Sequence, residues 1–239
     1  MIQRSLISAL ALAVAMSPAA YAESGYNGEI DAALFYNSGD TTPGGSETLG
    51  SIYSRSSFDF SDRFGVQLDL GGASVLGEGF EPSYGLHLIY HIDEKFSLGA
   101  FANREGYLSL EGSGGENVDH MGIEFAYDSE KFAVDAYVGQ LEYEHKPGQD
   151  FTFFGADVEV PLPNTQGLSL LGGYHDIESR DDYVYVGVEK DLNNGMSLGA
   201  RYSRDDRENL LGLTLNYKFG KGSKFNSRGI SAAFKGDHN

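Results

Sequence analysis

Three groups of residues have the types and spacings that chemistry needs. Gly195-Met196-Ser197-Leu198-Gly199 matches the G-x-S-x-G string in which a sharp strand-to-helix turn exposes a nucleophilic serine. Here the string follows Asn193-Asn194 and opens an alternating stretch with no helical segment behind it, so it reads as the start of a hairpin strand. His87 and His91 invite a metal reading, but four residues along a strand place them roughly 13 Å apart. One ion with bonds of about 2 Å cannot bridge that gap. His120 and His175 fall on other expected strands, and no EF-hand or P-loop string occurs. Cysteine is absent, which removes thiol nucleophiles, thiolate metal sites and disulfides together. No catalytic residue, metal or other cofactor is expected. The third group is the acids, and what they do depends on the elements that carry them.

The first element is an export signal. Arg4 supplies the positive start, Leu6 to Met16 is almost unbroken apolar sequence, and Ala20-Tyr21-Ala22 has the small-x-small cleavage pattern. The apolar stretch is shorter than the roughly 20 residues a spanning helix requires. Residues 1–22 are therefore read as a cleaved signal peptide, and no later apolar run reaches bilayer length. Membrane strands remain open, because they carry apolar residues only at every second position.

Alternation of that kind recurs along the chain. Tyr84, Leu86, Leu88 and Tyr90 alternate with Gly85, His87, Ile89 and His91. Leu211, Leu213, Leu215, Tyr217 and Phe219 alternate with Gly212, Thr214, Asn216 and Lys218. The anchors Phe64, Phe96, Phe132, Leu168 and Met196 follow short polar turns and lie 28 to 36 residues apart, room for one hairpin of membrane strands each. Period-two patterning predicts strands near 25–36, 47–60, 63–75, 83–92, 95–104, 118–127, 131–143, 150–162, 167–177, 182–191, 195–204 and 208–219.

The connections sort alternately into two kinds. Ser61-Asp62, Asp93-Glu94, 128–131, 163–166 and Asn193-Asn194-Gly195 are short, whereas 37–46, 76–82, 105–117, 144–149, 178–181 and 205–207 are longer or more acidic. Short periplasmic turns and longer outer loops are the asymmetry of an outer-membrane barrel with an even strand number. Phe60, Phe64, Tyr90, Phe96, Tyr127, Phe132, Tyr217 and Phe219 flank the short turns or end the last strand, as a girdle at one membrane boundary would, and Tyr36, Tyr174 and Tyr202 suit a sparser outer girdle. The expected fold is all-β: a closed antiparallel transmembrane β-barrel of about twelve strands over residues 23–219. A basic tail, 220–239, follows.

The export signal, the segment Gly28-Glu29-Ile30-Asp31-Ala32-Ala33-Leu34-Phe35-Tyr36 and the Gly- and aromatic-rich hairpins after it resemble Gram-negative porins and related outer-membrane barrels. The likeness lies in pattern over most of residues 25–219 rather than in a fixed motif. It implies an address in the bacterial outer membrane and contact with outer-membrane lipid and lipopolysaccharide.

With strands phased, the charges acquire a place. The polar phase carries Glu29, Asp31, Asp59, Asp69, Glu124, Asp135, Asp157, Glu159 and Glu189, against the bases Arg55, Arg201 and Lys218. A wall of one dominant sign would favour cations. The formal charge of −18 argues against nucleic acid as a partner. The expectation is passive diffusion of small hydrophilic solutes with mild cation preference, with these twelve side chains lining the passage. A non-conducting structural or adhesive barrel is the alternative; an outer-membrane lipid hydrolase lacks an evident nucleophile–base pair. Acidic outer segments such as Asp181-Asp182 and Asp205-Asp206 could hold divalent cations beside lipopolysaccharide, and oligomeric state is open. The tail, with Lys221, Lys224, Arg228 and Lys235 against Asp237, is expected to fold up as a plug or latch, or to add a strand over 226–234.

Overall fold

The computed structural model describes residues 26–37, 48–75, 79–106, 108–109, 117–144, 150–178, 182–192, 194–204 and 209–228. The signal sequence, most of the long connections with Asp181, Asp205 and Asp206, and the chain after Arg228 lie outside the described residues. Twelve long strands form the wall: β1 (Tyr26–Asn37), β2 (Thr48–Asp59), β3 (Phe64–Val75), β4 (Gly79–His91), β5 (Phe96–Gly106), β7 (Asn117–Asp128), β8 (Ala133–Tyr143), β9 (Asp150–Pro161), β10 (Leu168–Ile177), β11 (Tyr183–Asp191), β12 (Met196–Arg204) and β13 (Asn209–Phe219). A two-residue strand, β6 (Leu108–Ser109), pairs with the start of β4. Every ladder is antiparallel between neighbours in the chain, and β1 pairs with β13 from Gly28–Phe219 to Asn37–Leu210. The cylinder is closed, so no edge strand is left to satisfy in lipid.

The strands lie within a few residues of the expected ones. The largest shift is at β4, which begins at Gly79 rather than 83 because Pro82 reads as a strand breaker. On one side Pro82 faces Gly72 of β3; on the other, β4 changes partner from β6 at Phe80 to β5 at Ser83. A residue without an N–H is tolerated at that gap in the ladder.

Side-chain phase separates two surfaces. Leu34, Leu68, Leu70, Leu88, Ile123, Val186, Leu211 and Leu213 point outward and are exposed, while their strand neighbours point in. Among the described residues, charged side chains of the outward phase (Arg104, Asp119, Glu142, Asp150, Asp176, Lys190, Arg204) stand within three residues of a strand end, leaving an uncharged belt. At the short-turn end the aromatics touch in series. Phe60–Phe64, Phe64–Tyr90, Phe96–Tyr127 and Tyr127–Phe132 ring centroids are 6.3, 5.2, 4.6 and 5.0 Å apart. At the other end Tyr36, Tyr84, Phe154, Tyr174 and Tyr202 are exposed on the same outer face. An apolar belt between aromatic rings is what a bilayer of hydrocarbon flanked by headgroups selects.

The short turns are closed by local chemistry. Asp93 Oδ1 accepts the backbone N–H groups of Lys95 and Phe96, each at 2.8 Å. The Phe96 and Lys95 amides hold that carboxyl below the ordinary carboxylate range. Asn194 and Gly195 both adopt positive φ (68° and 77°) in the turn closed by Leu192 N–H on Met196 O at 2.7 Å, a conformation to which Asn and Gly are suited.

Candidate functional site

The inner surface is where the polar phase converges. Arg55 of β2 reaches across to β1 and pairs with both Glu29 and Asp31. Asp157 of β9 accepts from Tyr185 Oη at 2.7 Å and bonds His175 at 2.9 Å, while His175 bonds Tyr137 Oη at 2.8 Å. Arg201 of β12 stacks over the Tyr185 ring, 5.1 Å from its centroid, and its Nε has no hydrogen-bond partner. Glu189 and Arg201 border the same space, and Glu159 and Lys218 lie toward the short-turn end. Asp59 sits at the short-turn rim, half exposed, against His91 Nε2 at 3.1 Å. Asp69, Glu124 and Asp135 are buried on the opposite half of the wall. The twelve polar-phase residues thus all face inward, but they form two groups rather than one ring. Glu81 and Glu105, also inward and buried near the other end, were not among them.

What divides the groups is the chain after β13. Gly220 and Gly222 take positive φ (64° and 81°) and turn the backbone back beneath the wall. Lys221 N–H then donates to Asn27 Oδ1 at 2.8 Å. Residues 221–228 rise into the lumen without joining any ladder, so Asn226–Arg228 are not part of an added strand. Phe225 is 1% exposed, packed on the inward side chains Ile89 and Ala126 and stacked with His87 at 6.1 Å. Gln67 clamps the backbone beside it. Its Oε1 accepts from Lys224 N–H (3.1 Å) and Phe225 N–H (3.2 Å), and its Nε2 donates to Phe225 O (2.9 Å). Asn226 N–H donates to Asp135 Oδ2 at 2.7 Å, and Asn226 Nδ2 to Asp157 Oδ2 at 3.2 Å. Arg228 Nε reaches Glu124 at 2.9 Å, and another guanidinium nitrogen reaches Asp135 at 2.5 Å. Acids of one half of the lumen are therefore held by the tail, those of the other half by Arg55 and tyrosines.

Among the described residues, two spaces border the tail. One, of about 200 Å³, lies toward the long-loop end among Phe35, Tyr53, Tyr137, Phe153 and Tyr183. The other, of about 330 Å³, lies toward the short-turn end among Glu29, Asp128, Glu159, Lys218 and Lys224. Both are bordered by Asp31, Arg55, Asp157, Tyr185, Glu189 and Arg201 of the wall and by Asn226 of the tail. That shared rim, to which Asn226 of the docked tail contributes, is the waist between the two spaces.

Catalysis finds less support. Ser197 is buried at the start of β12 with no partner for its hydroxyl, as expected of a hairpin strand. A chain of Ser97 Oγ, His91 Nδ1 and Asp59 Oδ1, at 2.9 and 3.1 Å, has the composition of a hydrolytic triad. Ser97 is 0% exposed, and the imidazole is turned so that the serine meets Nδ1 and the acid Nε2, the reverse of the usual arrangement. Among the described residues no group of histidines and acids has metal-binding geometry. His87 is spent bridging Asp69 Oδ2 (3.0 Å) and Glu124 Oε1 (2.7 Å).

Sequence reading missed Gln67, His87 and Phe225 as tail contacts. The available signal was the order Lys221, Lys224, Phe225, Arg228 in an acidic chain, a cationic segment with one aromatic just beyond the last strand.

No protein-family model matches the sequence, and no curated protein does. Among solved structures, the KdgM porin, also solved in complex with disordered oligogalacturonate, superposes with a TM-score of 0.57 at 11% identity, covering 80% of this chain and 99% of that one. An outer membrane channel from Pseudomonas putida F1 gives 0.53 at 16% identity, covering 80% and 96%. These likenesses establish the fold as that of an outer-membrane β-barrel.

Proposed function

We propose that this protein is an outer-membrane channel through which small hydrophilic solutes diffuse passively, entering after export by a cleaved signal peptide. The observation that carries this reading is the waist: two spaces of about 200 and 330 Å³ that share Asp31, Arg55, Asp157, Tyr185, Glu189, Arg201 and Asn226 as lining. Barrels of about eight strands have interiors just wide enough for side chains to fill, whereas this twelve-stranded one keeps two spaces inside. Charged side chains of the inward phase border both spaces, and charge segregated to the lumen sets which ions pass.

The preference should be for cations, but weakly. The nine expected acids and the further inward Glu81 and Glu105 face the wall bases Arg55, Arg201 and Lys218, and the tail adds Lys221, Lys224 and Arg228 to the same interior. The KdgM porin was solved with an oligogalacturonate, a polyanion. The lining here is acid-rich, so a polyanionic solute is disfavoured. A poorly conducting barrel is the second reading, favoured by the tail itself, which docks inside the lumen on Gln67, Glu124 and Asp135. Reversal potentials of the full chain in planar bilayers under a salt gradient test the proposal: resolved channels with cation preference support it, and folded protein without channel steps refutes it.

A further inference from the structure

We propose that the lumen wall carries a guanidinium-binding site which the chain's own Arg228 fills, and that this contact holds residues 221–228 as an autoinhibitory plug. The inference rests on the channel reading above and adds to it a site and a means of opening.

The site is built before its ligand arrives. Glu124 is fixed by His87, and His87 by Asp69, so one carboxylate is oriented by the wall itself. Asp135 lies on the neighbouring strand β8. Between these two acids the Arg228 guanidinium makes its 2.9 and 2.5 Å contacts with a side chain only 1% exposed. Its plane lies over the Tyr137 ring at 4.5 Å, with Phe101 at 5.8 Å and Phe225 at 6.0 Å. Two separated carboxylates and an aromatic face suit a planar, forked cation better than an ammonium, which is a point charge with stronger hydration. A guanidinium group is the ligand class this chemistry selects.

The hold is reversible by design. Among the described residues, side chains of β1, β3, β4, β5, β7, β8 and β9 hold the tail, and no ladder hydrogen bond joins it to the wall. The barrel therefore stays closed and intact when the tail leaves. What remains is a half-lumen carrying Asp69, Glu124, Asp135 and Asp157 that attracts cations. A guanidinium-bearing solute then competes with the tail for the place it has vacated.

The test uses the full chain. Wild type, Arg228→Ala, Arg228→Lys and the near-isosteric double variant Glu124→Gln/Asp135→Asn are inserted in planar bilayers, and amide exchange of the tail is followed by mass spectrometry. Arg228→Ala and the double variant should raise conductance severalfold, with Arg228→Lys between them and wild type. Ethylguanidinium should lower the conductance of Arg228→Ala but leave the double variant unchanged. The amides of Phe225 and Asn226 should exchange slowly in wild type and rapidly in both variants. Should Arg228→Ala misfold, the double variant makes the same comparison. Fast exchange in wild type overturns the docking, and freed tails that leave conductance at the wild-type level overturn the inhibition. If no form conducts while exchange follows the expected pattern, the channel reading falls and the inhibitory role falls with it, but the guanidinium site stands.

Discussion

Gly99 of β5 and Phe225 of the tail share one volume: a Cβ on Gly99 would stand 2.8 Å from the Phe225 ring and 2.5 Å from Glu124 Oε1. Such contacts cannot be accommodated without moving one partner. The wall at this point is hollowed to receive the ring, which ties a residue of the fifth strand to one six positions after the last strand ends at Phe219. Gly99→Leu should therefore evict Phe225. Losing the burial of a phenylalanine is worth about 1.5–3 kcal/mol, roughly a tenfold or greater shift toward the undocked tail. Faster exchange at the Phe225 amide with an unchanged folded barrel is the expected result; an unaltered exchange rate would show that the ring is not held here.

The waist should set ion selectivity. Glu189→Gln or Asp157→Asn removes one negative charge beside the passage and should lower the cation-to-anion permeability ratio. Arg201→Gln should raise it, since Arg201 is a cation there with no carboxylate hydrogen-bonded to its Nε. Reversal potentials of the three variants at equal ionic strength read the sign directly.

The two faces of β13 should respond oppositely to charge. Leu213 is 63% exposed in the middle of the apolar belt, so Leu213→Arg should cost about 2–4 kcal/mol in a bilayer. Thr214 is next in sequence but borders the lumen space with an unpartnered hydroxyl, and Thr214→Lys should cost clearly less. Denaturant unfolding from lipid vesicles compares them.

Hairpin closure between β11 and β12 depends on backbone handedness. At Gly195, with φ of 77°, a Cβ would lie 2.3 Å from the Lys218 carbonyl oxygen. Gly195→Val should destabilise the barrel by more than about 1 kcal/mol, whereas Asn194→Gly, which keeps positive φ accessible, should be tolerated. Equilibrium unfolding of both variants distinguishes the effects.

Much of the barrel was legible because lipid imposes a strict rule. Leu211, Leu213 and Leu215 must alternate with Gly212, Thr214 and Asn216, and a slip of one residue would turn every side chain to the wrong solvent. Turns such as Asn194–Gly195 carry their conformation in their residue types. Pro82 misled the boundary of β4, since the exception that admits it depends on a partner change between β5 and β6. The inward residues were legible as a phase but not as two groups. Nothing in strand alternation reports that Gln67, Glu124 and Asp135 meet a segment more than ninety residues away in sequence. Tail docking follows from side-chain shape and charge in three dimensions, for which period-two patterning has no signal.

Single-channel recording of the wild-type full chain under a salt gradient tests the central claim most directly. The account predicts discrete steps, a reversal potential displaced in the direction of cation permeation, and larger steps once the Arg228 contact is removed. Folded protein that inserts without steps, or a reversal potential of the anion sign, would contradict it.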